Sequence, residues 1–175
     1  MRIETERLII DGLRPGDKEN YFVNISHDRQ ILKTFVCQYQ ENMETFRFEK
    51  YLGRTDLFAI REKKSDALIG IFTEFSADHE NRSLEIGYAL GSRHWGKGYM
   101  TEAVQAMLDY YFRHTELRTV YASFFPENTA SKRVMEKCGM RYSHTVEKEF
   151  SYLGKERDLI YYKAEAVCGK EGNGI

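Results

Sequence analysis

The residues with the plainest chemical potential lie mid-chain, in Arg93-His94-Trp95-Gly96-Lys97-Gly98-Tyr99-Met100. Two glycines bracket a lysine, an arginine stands three residues ahead of the first, and a periodic apolar segment follows. Glycines lack Cβ, so successive backbone N–H groups can turn toward one ligand and the ligand can come close. A helix starting near Tyr99 or Met100 adds its unpaired amides and the positive end of its dipole. Together these suit an anion, a diphosphate above all, with Arg93 and Lys97 supplying full charges. The same residues also make an ordinary turn into a helix, and spacing alone does not separate the two readings. Two familiar phosphate motifs do not fit. Thr101 stands where a dinucleotide fingerprint needs its third glycine, and a Walker loop needs a longer spacing followed by Lys-Ser/Thr.

Flanking elements must present this segment. Leu84–Leu90 alternates as a strand, with Leu84, Ile86, Tyr88 and Leu90 on one face. Glu85, Gly87 and Ala89 form the other face, which is nearly bare and carries one carboxylate at its far end. After the glycines, Ala103, Val104, Met107, Leu108, Tyr111 and Phe112 recur at helical spacing. Thr119–Phe125 reads as strand again, so strand, helix and strand imply a parallel crossover. "PENTASKRVMEKCG" gives a second helix, with Asn128 as N-cap, Ala130, Val134 and Cys138 on its buried face, and Gly139 as its stop.

Upstream, Leu8–Leu13 is a short apolar run ended by "RPGD", and Asp17 is placed to cap a helix beginning near Lys18. An irregular aromatic stretch runs to Leu52, with Tyr21, Phe22, Phe35 and Phe46 more suited to packing than to an acceptor pocket. Leu57–Arg61 and Ala67–Phe75 are strands joined by "EKKSD", and Tyr142–Phe150 and Asp158–Lys163 are the last two. The order predicts a mixed α/β sheet.

Composition bounds the rest. The chain has 175 residues, 42% hydrophobic and 30% charged, with two prolines, enough for one buried core. Its net charge of −1 carries no basic stripe, which argues against nucleic-acid binding. The three cysteines fit neither a disulfide framework nor a zinc motif, and the histidines have no ligand spacing, so no metal is expected. No segment reads as a signal peptide or a membrane span, and the expected location is cytoplasmic.

Arg93-x-x-Gly96-x-Gly98, preceded by "EIGYAL" and followed by "TEAV", resembles the acetyl-CoA signature of the GNAT superfamily of N-acetyltransferases. "TERLII" (Thr5 to Ile10), "NTASKRVMEKCGM" (Asn128 to Met140) and "YLGKERDLIYY" (Tyr152 to Tyr162) resemble further segments of the branch that acetylates ribosomal-protein N-termini. The resemblance implies a mixed, mostly antiparallel sheet of about six or seven strands with a central splayed parallel pair, flanked by about four helices. Residues 1–167 would form one domain and 168–175 a flexible tail.

It also implies a site. The strand backbone at Tyr88, Ala89 and Leu90 would pair with the pantetheine arm of acetyl-CoA, and the bare face at Gly87 and Ala89 leaves space consistent with that. The amides of Arg93, His94, Trp95, Gly96, Lys97, Gly98, Tyr99 and Met100, with Thr101 nearby, would hold the pyrophosphate. Asn128 and Ser131 would approach the thioester. Lys132, Arg133 and Lys137 read as a solvated helix face, with contact of Lys132 or Arg133 to the 3′-phosphate as the alternative.

Direct transfer to an amine needs a base, an oxyanion donor and, for the leaving thiolate, a proton. Glu85 is the candidate base, against the alternative of a paired strand carboxylate. Ser131 is the candidate donor to sulfur, against a role in the helix N-terminus. Many relatives place a tyrosine where this chain has Met135, which cannot donate. A strand amide near Tyr88 or Ala89 is the expected oxyanion donor. The acceptor is an amine on a protein terminus or a small molecule such as an amino acid, polyamine or antibiotic. Specificity is expected in Lys18–Leu52 and in the Ser151–Lys155 loop, and the chain is either a monomer or a homodimer. A non-catalytic acyl-CoA-binding module is the competing function.

Overall fold

The computed structural model describes residues 1–152 and 154–167. The tail expected at 168–175, and residue 153 of the expected specificity loop, lie outside the described residues. The strands are β1 (Arg2–Glu4), β2 (Leu8–Gly12), β3 (Leu57–Glu62), β4 (Leu68–Asp78), β5 (Ser83–Leu90), β6 (Thr119–Phe124), β7 (Arg141–Tyr152) and β8 (Lys155–Glu165). They form an eight-stranded sheet in the order β1-β2-β3-β4-β5-β6-β8-β7. Every neighbouring pair is antiparallel except β5 and β6, which run parallel. This is the expected mixed sheet with a central parallel pair. The strand beyond the expected number is β1, three residues too short to show a period of their own, paired to β2 through Arg2 opposite Asp11.

Three α-helices accompany the sheet: α1 (Lys18–Tyr21), α2 (Tyr99–His114) and α3 (Thr129–Lys137). The rest of the expected early helix resolves into short turns at Phe22–Ser26, Ile31–Lys33 and Phe48–Tyr51. Asp17 does not cap α1. Its carboxylate accepts instead from the Arg14 backbone N–H at 2.6 Å and from Arg61 at 2.7 Å. Arg61 is 1% exposed, and a guanidinium held that far from water outcompetes a helix amide for the nearest carboxylates, Asp17 and Asp11.

Two apolar clusters cover the two sheet faces. On one, Leu84, Ile86 and Leu90 of β5 meet Ala103, Val104, Met107 and Leu108 of α2 and Met135 of α3. On the other, Tyr21, Phe22, Ile25, Phe46 and Phe48 pack on Ala59, Ile71 and Ala89, so most of the early aromatics are core, as their composition suggested. Ala130, expected on the buried face of α3, is exposed, and Met135 takes the core position. Cys138 is buried as expected, and burial pushes its thiol up to about 11. The Gly139 and Met140 amides close α3 on the Glu136 and Met135 carbonyls.

Candidate active site

Strands β5 and β6 pair only from Ser83/Thr119 to Ile86/Ala122. Past that point β5 stays with β4 and β6 stays with β8, so a gap opens between them. The phase of the β4–β5 ladder is set by the Gly91 N–H, which donates to the Ile69 carbonyl at 2.9 Å. Alternation then turns the Ala89 amide toward β4 and the Tyr88 and Leu90 amides toward the gap. The Leu90 carbonyl, on that same free edge, accepts the Trp95 indole N–H at 2.6 Å.

A cleft of about 420 Å³ occupies the gap. Tyr88, Ala89 and Leu90 line it from β5; Trp95, Gly96 and Gly98 from the loop; Tyr99, Met100 and Thr101 from the first turn of α2. Asn128 and Ser131 close it from the start of α3. Segments as far apart in sequence as Tyr88 and Ser131, 43 residues, thus meet around one cavity, as the resemblance implied, and α2 starts beside it with its unpaired first-turn amides. Arg93, His94 and Lys97 belong to the same loop but do not line the cleft. Burial, with Lys97 nearby, holds the His94 imidazole below its ordinary range, so the loop's positive charge comes from Arg93 and Lys97 rather than from His94. Arg133 and Lys137 do line the cleft, whereas Lys132 turns to Glu136 at 3.7 Å.

Gly96 and Gly98 have φ of +76° and +79°, the left-handed region that side chains disfavour. A Cβ on Gly96 would meet nothing within 4 Å, so the requirement there is conformational and the space stays open. The His94 and Trp95 amides are taken by the Gly91 and Ser92 carbonyls, and the residues from Gly96 onward suit a diphosphate: a left-handed glycine turn, a helix start and two exposed cations, with no carboxylate of the loop itself in the way.

What holds this loop was not legible beforehand. Arg7 donates to the Lys97 carbonyl at 2.9 Å and to the Glu102 carboxylate at 2.6 Å, while its guanidinium lies 4.7 Å over the Tyr99 ring. The Arg7 backbone N–H and the Thr5 hydroxyl also donate to Glu102. "TERL" and "TEAV" are therefore two halves of one clamp, and only a charge match between them could have hinted at it. Ile31, Thr34 and Phe35, which also line the cleft, come from an irregular segment with no readable period.

At the α3 end, the Asn128 side chain accepts from the Ser131 backbone N–H at 3.1 Å, so Asn128 is the N-cap. That leaves the Ser131 hydroxyl outside the cap, 3.0 Å from the Tyr88 phenol. Burial holds the Tyr88 phenol above its ordinary range, so it stays protonated and available as a donor. Met135, where the resemblance led us to expect a tyrosine, is buried in the core.

Glu85 is elsewhere. It lines a second cavity on the face away from α2 and α3, and its carboxylate accepts from the Ser123 hydroxyl at 3.1 Å. Ser123 is the first β6 residue past the last β5–β6 pair, so this contact sits at the apex of the gap. Burial raises the Glu85 carboxyl above the usual range; Ser123 opposes the shift and Glu149 adds to it. The bare face beside Gly87 is not open. A Cβ there would come within 2.3 Å of the Phe75 ring, which folds over it past an irregularity in β4. Ala89 is buried by the second apolar cluster and reaches the cleft only at its edge.

A mixed sheet whose central parallel pair splays beside a glycine loop and helix start is the fold that the resemblance implied. Residues 7–141 match the Acetyltransferase (GNAT) domain, and the chain belongs to that family. It is an N-acetyltransferase. YnaD, an uncharacterised N-acetyltransferase of Bacillus subtilis, is 31% identical over 99% of this chain and 100% of its own length. The spermidine N(1)-acetyltransferase of Vibrio cholerae is 26% identical over 87% of this chain and 90% of its own. Ribosomal-protein acetyltransferases are also among the relatives. A solved GNAT-family acetyltransferase from Bacillus anthracis superposes with a TM-score of 0.79 at 29% identity, covering 95% of this chain and 99% of that one. Among the described residues no helix is long and apolar enough to cross a membrane, and no cluster of His, Cys, Asp and Glu is arranged to hold a metal ion.

Proposed function

We propose that the chain transfers the acetyl group of acetyl-CoA directly to a primary amine, with Glu85 as base and Ser131 as the donor nearest the sulfur. The observation that carries this is the splayed β5–β6 gap, which has the glycine loop at its mouth and Glu85 at its apex. Acetyl-CoA, when bound, supplies a thioester already activated toward amines.

The remaining work belongs to the protein. The His94 and Trp95 amides are committed to the Gly91 and Ser92 carbonyls, so the pyrophosphate would be held by the amides from Gly96 through Thr101 at the start of α2, with Arg93 and Lys97 adding charge. Arg133 and Lys137 give the cleft further positive charge. The gap-facing edge of Tyr88 and Leu90 would bind the pantetheine arm as an added strand would. Ala89's amide is committed to β4, so the Tyr88 N–H is the strand amide directed at the developing oxyanion.

An amine with a pKa of about 8 to 10 arrives protonated at neutral pH and must lose that proton. The Glu85 carboxylate takes it, and its raised affinity for protons makes it a stronger base than an exposed glutamate. The Ser131 hydroxyl, oriented by the Tyr88 phenol, donates toward the departing sulfur. None of the cysteines is required. The relatives act on acceptors of different kinds, spermidine and ribosomal protein among them, so the family fixes the reaction and leaves the acceptor to this chain's own surface.

The test combines binding with turnover. Acetyl-CoA at a hundredfold excess over its Kd should stabilise the fold by about 2.7 kcal/mol. CoA release, followed with a thiol reagent, should appear when primary amines are added. Acetyl-CoA binding with no release across a broad amine panel would refute the catalytic assignment.

A further inference from the structure

The second cavity is a trough of about 230 Å³ on the sheet face away from α2 and α3, and the acetyl-transfer reading above gives it a use. Its walls include Asp78, Ser83, Glu85, Tyr121, His144 and Tyr161. The Tyr161 and His144 rings stack 4.6 Å apart within 4° of parallel, and Tyr121 meets His144 edge-on at 6.5 Å. Carboxylates stand at both ends. Glu85 is at the apex of the gap, and Asp78 lies across from Ser83, two positions further along. Strand geometry puts the two Cα atoms roughly 8 Å apart.

The charge balance of this trough leans negative, although His144 offsets part of it at Glu85. Glu149 acts on both Glu85 and Tyr161 and adds negative potential. The nearby lysines are already paired with carboxylates: Lys163, directly across from Tyr121, holds Glu165 at 2.8 Å, and Lys148 faces Glu156 at 3.8 Å. The His144 Nδ1 is taken up by the Ser143 hydroxyl at 3.0 Å. Asp78 is fixed by the Asn81 side chain and backbone. Ring faces and carboxylates attract ammonium groups, and they repel a carboxylate. A peptide would bring a carbonyl at every residue, and the side chains that line the trough offer few donors for them, the hydroxyls of Ser76, Ser83, Tyr121 and Tyr161 and the His144 imidazole.

An occupant rich in donors, poor in acceptors and carrying more than one positive charge matches all of this. We propose that the trough is the acceptor site for an aliphatic polyamine, whose reacting nitrogen sits at Glu85 while a second ammonium lies against Tyr121 and Tyr161 toward Asp78. The proposal rests on the acetyl-transfer reading, because it needs the apex of the gap to be where transfer occurs.

Its test is selectivity. CoA release is measured with butylamine, putrescine, spermidine and short peptides bearing free N-termini. Putrescine and spermidine should exceed butylamine in kcat/KM by roughly tenfold, the scale of one partly desolvated cation–π contact with a facing carboxylate. Peptides should rank below both. Asp78→Asn and Tyr161→Leu should each reduce the diamine-to-monoamine ratio at least threefold, and Tyr161→Phe should preserve it. Preference for peptides, a wild-type ratio near one, or a ratio untouched by Asp78→Asn and Tyr161→Leu would overturn the proposal. Should no amine release CoA although acetyl-CoA binds, the transfer reading fails and the trough is judged alone. Spermidine is then titrated calorimetrically into CoA-saturated protein: binding weakened by Asp78→Asn supports the trough, and no binding to the wild type refutes it.

Discussion

Arg7→Ala tests whether the N-terminal segment holds the glycine loop ready for its ligand. In the wild type Arg7 joins the Lys97 carbonyl to the Glu102 carboxylate, at 2.9 Å and 2.6 Å. Its side chain is 42% exposed, so the ion pair by itself contributes at most about 1 kcal/mol. The charge-assisted bond to the carbonyl adds roughly 1.5 kcal/mol. Trp95 is tied to Leu90 and the Gly98 carbonyl to the Glu102 amide, but between them Lys97 is flanked by two left-handed glycines, and there Arg7, through the Lys97 carbonyl, holds the loop. Freeing even one or two of its residues restores about 1 kcal/mol of backbone entropy each, which ligand binding must then remove.

Allowing that part of the loss falls on global stability, about 1.4 kcal/mol falls on the cofactor, a tenfold rise in Kd. Trp95 is the chain's single tryptophan and lines the cleft, so intrinsic fluorescence during an acetyl-CoA titration reports the site directly. The expected result is a Kd and an acetyl-CoA KM each about tenfold higher, with kcat within twofold, because Arg7 touches no reacting group. Arg7→Lys should recover only part of the affinity, since one ammonium cannot reproduce the fork that spans both partners. A lowered melting temperature with unchanged Kd would show that Arg7 is only a brace for the fold. A fall in kcat at unchanged Kd would equally refute the reasoning.

Three further outcomes follow from the same geometry. Glu85→Gln keeps an acceptor for Ser123 but removes the base, so kcat/KM should fall about a hundredfold. Because burial raises the Glu85 carboxyl, wild-type activity should climb with pH through a limb above the usual carboxylate range, and this limb should vanish in the variant; a limb that persists removes Glu85 from the mechanism. Tyr88→Phe should lower kcat several-fold without changing acetyl-CoA affinity, and adding it to Ser131→Ala should cost nothing more, since the phenol acts through the hydroxyl. Additive losses in that double variant would separate the two residues. Arg61→Leu strands the buried Asp11 and Asp17 and should cost about 3 kcal/mol in urea melts. Arg61 and Arg14 outweigh burial to hold the Asp11 carboxyl below its ordinary range, so its stabilisation is present above that range and is lost as pH falls through the lowered value. The acid transition of the Arg61→Leu variant should therefore be shallower, and an unchanged one would count against the cluster.

The sheet, α2, α3 and the glycine loop were legible because their signals are local. Alternation in Leu84–Leu90, the three- and four-residue spacing of Ala103 to Phe112, and the Asn128 cap all depend on neighbours within a turn or two. The early segment was not legible in the same way. Its aromatics are spaced by neither period, because they fill a pocket against Ala59, Ile71 and Ala89 rather than one face of a helix. Asp17 looked like a cap for the same reason: its real partner, Arg61, is forty-four residues away.

The amino-acid sequence by itself determined the glycine loop and which strand and helices flank it, since left-handed glycines, a helix start and strand alternation are properties of short stretches of chain. It also supplied Glu85 and Ser131 as chemical types. Tertiary structure alone decided how they are used. The loss of pairing after Ile86 and Ala122 opens the gap, Phe75 closes the space that Gly87 appeared to leave free, and Arg7 reaches ninety residues along the chain to hold Lys97. Alternation alone put Glu85 and Tyr88 on opposite faces of their strand, but only the folding made one face the wall of a trough and the other the wall of a cleft. Such contacts depend on the packing of distant segments, and no spacing within one stretch of sequence encodes them.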